Sequence, residues 1–304
     1  MRLSVILVNY KQADLTVDCI RSLERSTWHD FQTIIVDNQS TPESVERLRN
    51  RCPNSKILPS PENLGFAEGN NLGIRFALES GSDLILLLNN DTVVDEHLLE
   101  TMVQTAAGNK NIGVIGPKIY YEDRRDVIWY AGGILSRDKA LATHRGIAEK
   151  DMGAFDRLQE TDFVTGCCLM TKREVLTKIG LLDPKFFLYY EDSDFCLRAR
   201  EAGYCVVYQP NAVLYHKVSN STELDSPVYI YFNLRNKILF LRKHSSPDKW
   251  LRHLPYLTYF YSRQLIRLTA RHRKPRAARA ALLGLIDGLK AFTGAGGEGS
   301  LPNL

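Results

Sequence analysis

The sequence lacks the features of a secreted, membrane-spanning or zinc-binding protein. Its six cysteines form no C-x-x-C pair and no Cys/His spacing typical of zinc. A chain of 304 residues does not need disulfides for stability, so we expect reduced thiols and a cytoplasmic protein. The apolar run that follows Met1 is too short for a signal peptide, and no run of about 18 apolar residues is present that would span a membrane.

Acidic residues are scarce in the C-terminal part of the chain. From residue 247 onward there are 10 Lys and Arg against 3 Asp and Glu, which leaves 29 against 32 in residues 1–246. A basic tail on a weakly acidic body indicates an anionic partner, either a nucleic acid or a membrane surface. No nucleic-acid-binding module accompanies the charge, so we expect no nucleic acid. A tail packed on the rest of the protein, with a solvated basic face, explains the charge as well as a membrane does.

Short apolar runs alternate with helical patterns in the first 90 residues. The runs are LSVILV, FQTIIVDN, SKIL and DLILLL. Their apolar character is continuous, which is typical of parallel strands covered on both faces. The sequence therefore predicts an α/β fold with a mostly parallel central sheet, helices on both faces, and a C-terminal helical extension.

Polar residues stand at or directly after the carboxyl ends of three of these runs. They are Asn9-Tyr10, Asp37-Asn38 and Asn89-Asn90-Asp91. Because ligands bind at the carboxyl ends of parallel strands, we interpret the three groups as one site. Asp91 is either a helix N-cap, a role that Asp95 fits better, or a ligand of a hard divalent cation.

The stretch FFLYYEDSDFCLRAREAGY predicts a short strand, an acidic turn and a helix. Glu191 and Asp192 are not needed to begin the helix. Crowded carboxylates raise one another's pKa, which suits a general base, although a solvated acidic turn fits the pattern equally well. His216 follows an apolar strand, and a lone histidine there is more often a surface or hydrogen-bonded residue than a ligand.

Six motifs in this order resemble glycosyltransferase family 2, and within it bacterial rhamnosyltransferase-like enzymes. They are VILVNYK, IIVDNQS, ENLGFAEGNNLG, LLLNNDTVVD, FVTGCCLMTKREVL and FFLYYEDSDFCLRAREAGY. The resemblance implies a GT-A glycosyltransferase domain over residues 1–243. Residues 1–120 would be a Rossmann-like nucleotide-sugar half, and residues 121–243 an acceptor half. The basic helical extension would occupy 244–304 and end in a frayed glycine-rich stretch.

The same resemblance implies the roles of individual residues. Asp192 would be the catalytic base, and Asp91 with His216 would hold Mg²⁺ or Mn²⁺. Asn89 stands where the family's D-x-D motif has its first Asp, so Asp91 alone supplies that carboxylate. The donor-binding residues would be Asn9, Tyr10, Asp37 (at the base), Asn63, Gly65, Asn70, Asn89, Asn90 and Asp91. Thr165 and Gly166 would lie beside the acceptor with Glu191. Apart from the resemblance, Trp129 offers an aromatic platform for a sugar, and core packing is the alternative for Trp129 and for Thr165-Gly166. Arg235 would lie near the pyrophosphate, or would be a surface charge of a helix.

The resulting hypothesis is an inverting, metal-dependent sugar transfer for cell-surface polysaccharide synthesis. The donor would be dTDP-L-rhamnose, or alternatively a UDP-hexose. The acceptor would be a glycan or a polyprenyl-linked sugar, reached at the cytoplasmic face of the membrane. A sugar nucleotidyltransferase would need a glycine- and arginine-rich loop after the first strand, where this chain has NYKQAD. A non-catalytic nucleotide-sugar-binding protein would need a degenerate site, whereas Asp91, Asp192 and His216 are all present.

Overall fold

The computed structural model describes residues 1–218, 226–246, 250–271 and 273–293. They form two compact units. Unit 1 comprises residues 1–134, 143–183 and 192–218, and unit 2 comprises the described parts of 135–142, 184–191 and 219–304. The predicted boundary near residue 243 stays a prediction, and the glycine-rich end lies outside the described residues.

The core of unit 1 is a ten-stranded sheet. Its strands are β1 (Leu3–Asn9), β2 (Phe31–Asn38), β3 (Lys56–Ser60), β4 (Leu84–Leu88), β5 (Thr92–Val94), β6 (Ile112–Tyr121), β7 (Ile128–Tyr130), β10 (Gln159–Glu160), β11 (Cys168–Lys172) and β12 (Cys205–His216). The main path runs β10-β12-β6-β11-β4-β1-β2-β3, with β5 paired to β12 and β7 to β6. Strands β8 (Gly133–Ser136) and β9 (Leu141–His144) form a separate two-stranded sheet.

The N-terminal half of the sheet is parallel, as predicted. Strands β3, β2, β1 and β4 pair in register, so that Asn9 at the end of β1 lies beside Asp37 in β2. Helices α1 (Ala13–Leu23), α2 (Pro42–Arg51) and α3 (Gly65–Glu79) connect these strands. Thr41 caps α2, because its hydroxyl accepts a hydrogen bond from the backbone N–H of Ser44.

Helices cover this half-sheet on both faces. Alternate side chains of β1 point to opposite sides of the sheet, so neighbouring residues of the strand show which helices lie on each face. Leu7 joins a buried cluster with residues of α1 and of α4 (Leu98–Gly108). On the other face, Ile6 meets α3 at Gly73, where a Cβ would lie 2.5 Å from the Ile6 Cγ2. The glycine at residue 73 therefore permits the close approach of helix and strand.

The second half of the sheet is mixed. Strand β11 lies antiparallel between β4 and β6, and β6 and β12 run parallel. Two more helices follow in this part of the chain, α5 (Arg173–Ile179) and α6 (Glu191–Glu201). Strand β5 pairs antiparallel with the end of β12, which places Thr92 opposite His216.

Unit 2 consists largely of helices. They are α7 (Pro227–His244), α8 (Trp250–Ile266) and α9 (Pro275–Thr293), with a π-helical turn at Arg267–Arg271. The predicted C-terminal helical extension is confirmed by α8 and α9, whereas α7 lies almost wholly before it and the predicted start at residue 244 stays a prediction. Among the described helices, none is long and apolar enough to cross a membrane.

The predicted strand in FFLYY is wrong. Pro184–Phe186 is a 3-10 turn, and Phe187, Tyr189 and Tyr190 have φ angles of 62°, 68° and 75°. Asn236 on α7 stabilises this strained segment, because its side-chain amide donates 2.8 Å hydrogen bonds to the carbonyls of Phe186, Leu188 and Tyr189. Helix α6 begins directly afterwards at Glu191, so the acidic residues form the first turn of the helix.

Candidate active site

A hydrogen-bond network joins the carboxyl ends of β1, β2 and β4. The side-chain NH₂ of Asn90 donates to the Thr16 hydroxyl at 3.0 Å, and that hydroxyl donates to the side-chain oxygen Oδ1 of Asn9 at 2.9 Å. The Asn9 amide donates to Asp37 Oδ1 at 2.6 Å. Ser44 of α2 donates to Asp37 Oδ2 at 2.5 Å. Three of the predicted donor-binding residues, Asn9, Asp37 and Asn90, therefore lie in one buried network.

A second network shapes the turn that opens α3. The Asn38 amide donates to Asn63 Oδ1 at 2.9 Å, and Asn38 Oδ1 accepts from the Leu64 N–H at 2.7 Å. Asn63 Oδ1 also accepts from the Gly65 N–H at 3.0 Å, and Gly65 has φ +72°. Asn70, one turn further along α3, is buried and donates to the Phe66 carbonyl. Tyr10, at the end of β1, is 39% exposed and lies at the open side of this sheet edge.

Asp91 and His216 form the candidate cation site. Both are buried, and His216 Nε2 lies 3.2 Å from Asp91 Oδ1. Among the described residues neither Asp91 Oδ1 nor His216 Nδ1 has a hydrogen-bond partner. Two ligands at right angles on an ion with bonds of about 2.1 Å are separated by about 3 Å. The pair therefore fits two adjacent positions on one divalent cation.

No group of three or more His, Cys, Asp or Glu residues in the described part of the chain would hold a metal alone. Two protein ligands suffice for Mg²⁺ or Mn²⁺ when a substrate diphosphate supplies further oxygens. Burial lowers the pKa of His216, but the adjacent Cys167 and Asp91 raise it to about 10. A cation would therefore bind in competition with a proton on this imidazole.

Asp192 lies in the first turn of α6, and backbone N–H groups hold its carboxylate. Gly166 N–H donates to Oδ2 at 2.9 Å, and Ser193 N–H donates to Oδ1 at 2.6 Å. Burial raises the pKa of the Asp192 carboxyl, although the two N–H groups oppose that rise. The result is a fixed, partly buried carboxylate whose basicity exceeds that of a free one.

Residues 166 and 167 connect Asp192 to the Asn89-Asn90-Asp91 turn. Gly166 binds the Asp192 carboxylate, while the next carbonyl, that of Cys167, accepts the Asn89 N–H at 2.8 Å. Strand β11 begins directly after these contacts. Because the two residues are adjacent, the carboxylate of Asp192 and the turn that carries Asp91 lie in one site. Thr165 lies just before them and is buried.

Trp129 contacts the candidate cation site. Its ring packs edge-on against His216, with centroids 4.6 Å apart and an interplanar angle of 78°. On its other side it meets His144 at 4.6 Å, and His144 Nδ1 lies 3.1 Å from the Trp129 carbonyl oxygen. Burial lowers the pKa of His144 to about 4, so this ring is neutral at pH 7. The predicted contact of Trp129 with an acceptor stays a prediction.

Glu191 and Arg235 are in unit 2, and both are buried. Arg235 donates to the Lys185 carbonyl at 2.9 Å and to Asn236 Oδ1 at 2.8 Å, so part of its guanidinium holds the segment that precedes α6. The predicted roles of Glu191 at the acceptor and of Arg235 at the pyrophosphate stay predictions.

Sequence reasoning missed Thr16, Cys167 and His144 as parts of this site. Thr16 had a visible signal, because it is a polar residue on the inward side of α1, seven positions after Asn9. Cys167 contributes its backbone carbonyl to Asn89 and its side chain to the surroundings of His216, and His144 lies in a two-stranded sheet that the sequence did not predict. Neither has a local sequence signal.

Comparisons with known proteins show what this chain is similar to. The profile described as Glycosyl transferase family 2 matches residues 4–180. The low-salt glycan biosynthesis hexosyltransferase Agl10 of Haloferax volcanii is 27% identical over 96% of this chain and 92% of its own length. The N-acetylglucosaminyl-diphospho-decaprenol L-rhamnosyltransferase of Mycobacterium tuberculosis is 24% identical over 82% of this chain and 88% of its own.

A similar fold occurs in the mannosyltransferase PcManGT of Pyrobaculum calidifontis, solved with GDP-Man and Mn²⁺. Its TM-score is 0.59 at 16% identity, over 96% of this chain and 82% of that one. This likeness concerns the fold alone, which is the predicted GT-A architecture with its α/β sheet and C-terminal helices.

Proposed function

Because the chain belongs to glycosyl transferase family 2, we propose that it transfers a sugar from a nucleoside diphosphate to an acceptor hydroxyl, with inversion at the anomeric carbon. Membership of the family makes the chain a glycosyltransferase. The observation that carries the proposed chemistry is the junction at Gly166-Cys167. The Gly166 N–H donates to the Asp192 carboxylate, and the Cys167 carbonyl accepts from the Asn89 N–H in the turn that carries Asp91.

Asp192 is the proposed general base. Its carboxylate is oriented by two N–H groups and has a raised pKa, which increases its affinity for a proton. It would take the proton from the acceptor hydroxyl as that oxygen attacks the anomeric carbon. The bond from that carbon to the β-phosphate oxygen breaks in the same displacement. Inversion follows because the acceptor attacks directly and no protein nucleophile intervenes.

Asp91 and His216 are the proposed ligands of Mg²⁺ or Mn²⁺, supported by the 3.2 Å separation of their Oδ1 and Nε2 atoms and by the burial of both side chains. A divalent ion held there would neutralise the charge that develops on the leaving diphosphate. Asn9, Asp37 and Asn90 would contact the nucleoside and diphosphate, because they form one network at the carboxyl ends of the strands. Tyr10, Asn63, Gly65 and Asn70 would line the same path.

The proposed donor is dTDP-L-rhamnose, with a UDP-hexose as the alternative. The rhamnosyltransferase of Mycobacterium tuberculosis supports the first, and the Haloferax volcanii hexosyltransferase supports the second. The proposed acceptor is a glycan or a polyprenyl-diphosphate-linked sugar, since the mycobacterial relative is named for a decaprenol acceptor. We accordingly propose that the reaction takes place at the cytoplasmic face of the cell membrane.

A thermal-shift panel tests this function. It would contain dTDP-rhamnose, UDP-glucose, UDP-galactose, UDP-GlcNAc and GDP-mannose, each with and without Mn²⁺. One donor should raise Tm increasingly as its concentration exceeds Kd, in a metal-dependent manner that Asp91→Ala abolishes. Transfer of radiolabelled sugar from that donor to lipid extracts would then test turnover. Donor binding without any transfer would instead support a non-catalytic binding protein, and the absence of any shift would contradict both.

A further inference from the structure

Helix α9 has its small residues inside and its large aliphatic residues outside. The buried positions are Ala277, Ala280, Ala281, Gly284 and Gly288, and the two glycines face α7. The contact is close, because a Cβ at Gly284 would lie 2.6 Å from the Tyr231 carbonyl oxygen. An ordinary surface helix shows the reverse arrangement, with aliphatic residues buried and polar residues exposed.

The exposed side of α9 carries an aliphatic row. Leu282, Ile286 and Leu289 are 49%, 38% and 47% exposed, and their spacing of four and three residues places them along one stripe. Cations flank the row, since Arg279 precedes Leu282 by three positions and Lys290 follows Ile286 by four. Both cations are exposed.

Helix α8 shows the same combination. Tyr259 and Ile266 are each 64% exposed and lie seven positions apart, which places them on one side of the helix. Arg263 lies between them on that side and is exposed. Over residues 250–293 the sequence contains nine Lys and Arg against one acidic residue, Asp287. The Asp287 carboxylate accepts a hydrogen bond from Tyr231 of α7 at 2.8 Å, and its other oxygen lies 3.7 Å from Lys290 Nζ.

We propose that the exposed sides of α8 and α9 form a surface that binds an anionic lipid bilayer. Aliphatic and tyrosine side chains would enter the boundary between headgroups and acyl chains, while the flanking cations bind the headgroups. A second copy of the chain fits this surface less well. A symmetric dimer would bring each patch onto its own equivalent, and the concentrated positive charge would then meet itself.

This inference deepens the proposed function, since a lipid-linked acceptor would explain why a transferase binds a bilayer. It is tested without any transfer reaction. The full chain would be sedimented with vesicles of phosphatidylcholine alone or mixed with phosphatidylglycerol, at low and high salt. We expect binding to the anionic vesicles, weakened by salt because the charge attraction is screened.

Substitution locates the surface. The triple variant Leu282→Ser, Ile286→Ser, Leu289→Ser should lower partition onto anionic vesicles about tenfold or more. Arg279→Gln and Arg263→Gln should each lower it about fivefold. The matched control is Ile147→Ser with Leu158→Ser, which removes two aliphatic side chains of similar exposure in unit 1 and should leave partition unchanged.

Three results would overturn the proposal. They are failure of the unmodified protein to bind anionic vesicles at low salt, equal binding by the triple variant, and a dimer that the triple variant dissociates without any vesicle binding. If the triple variant fails to fold, the two charge variants decide the outcome. The donor-induced Tm shift, measured without vesicles, separates failure of this surface from failure of the proposed transferase site.

Discussion

Replacing Asp192 by asparagine should abolish transfer while preserving donor binding. The side chains have nearly the same shape, but the amide cannot accept a proton from the acceptor hydroxyl. Loss of a general base typically costs about 10²- to 10⁴-fold in rate. We therefore expect kcat to fall by at least about 100-fold, while the donor- and Mn²⁺-dependent Tm shift stays the same.

The effect of this substitution on stability follows from the hydrogen bonds. The two Asp192 oxygens accept from the N–H groups of Gly166 and Ser193, whereas an amide has one accepting oxygen. One backbone N–H thus loses its partner, at a cost of about 1 kcal/mol. Removing the charge offsets part of that cost. The folded-state pKa of Asp192 is raised, so its ionised form lowers stability at neutral pH, and this penalty disappears as pH falls through that pKa. The net change in Tm should be about 3 °C or less.

The assay combines transfer kinetics with a pH profile. Because the pKa of Asp192 is raised, transfer by the unmodified enzyme should begin to decline, as pH falls, at a higher pH than an ordinary carboxylate would dictate. Asp162→Asn, which neutralises a carboxylate paired with Arg200 at 2.8 Å in the same unit, is the control and should retain activity. Substantial activity in Asp192→Asn, or loss of its donor-induced shift, would refute the assigned role.

Three further predictions concern the cation site and the packing of the sheet. His216→Ala should weaken Mn²⁺ binding, measured as the concentration that gives half of the donor-dependent Tm shift, whereas the buried His244→Ala should not. Trp129→Leu should raise that concentration about tenfold, because the ring that orients His216 is lost. Trp129→Phe keeps an aromatic ring and should restore most of the affinity. Equal values for the two variants would contradict a positioning role. Gly73→Ala should lower the free energy of unfolding in urea by about 1–3 kcal/mol, since its Cβ would lie 2.5 Å from a side-chain carbon of Ile6, whereas Gly108→Ala has open space and should have little effect.

Local patterns in the sequence predicted the parallel half of the sheet well. Runs such as DLILLL are apolar at nearly every position, which a strand covered on both faces explains. The polar groups at the ends of those runs are equally local, so the sequence alone predicts that Asn9, Asp37 and Asn90 lie at one edge, where hydrogen bonds through Thr16 join them. The Thr41-Pro42 pair, a favoured N-cap residue followed by a proline in the first turn, is an equally local signal for the start of α2.

Other parts of the fold depend on contacts between distant residues. Nothing in CLMTK indicates that β11 inserts antiparallel between β4 and β6, because its pairing with β4 joins segments some 80 residues apart in sequence. The FFLYY segment has the composition of a strand, yet the backbone is held with positive φ by Asn236, nearly 50 positions later. The packing of Trp129 on His216 likewise joins two distant strands.

The network at the strand ends also fixes the direction of every proton within it. A carboxylate only accepts hydrogen bonds, so Asp37 obliges Asn9 to present its NH₂ group and to turn its carbonyl oxygen to Thr16. The Thr16 hydroxyl must then donate to Asn9 and accept from the NH₂ of Asn90. The carbonyl oxygen of Asn90 consequently points away from Thr16. One negative charge on β2 therefore sets the amide orientation of a residue beyond the end of β4, and losing that charge would allow every dipole in the row to reverse.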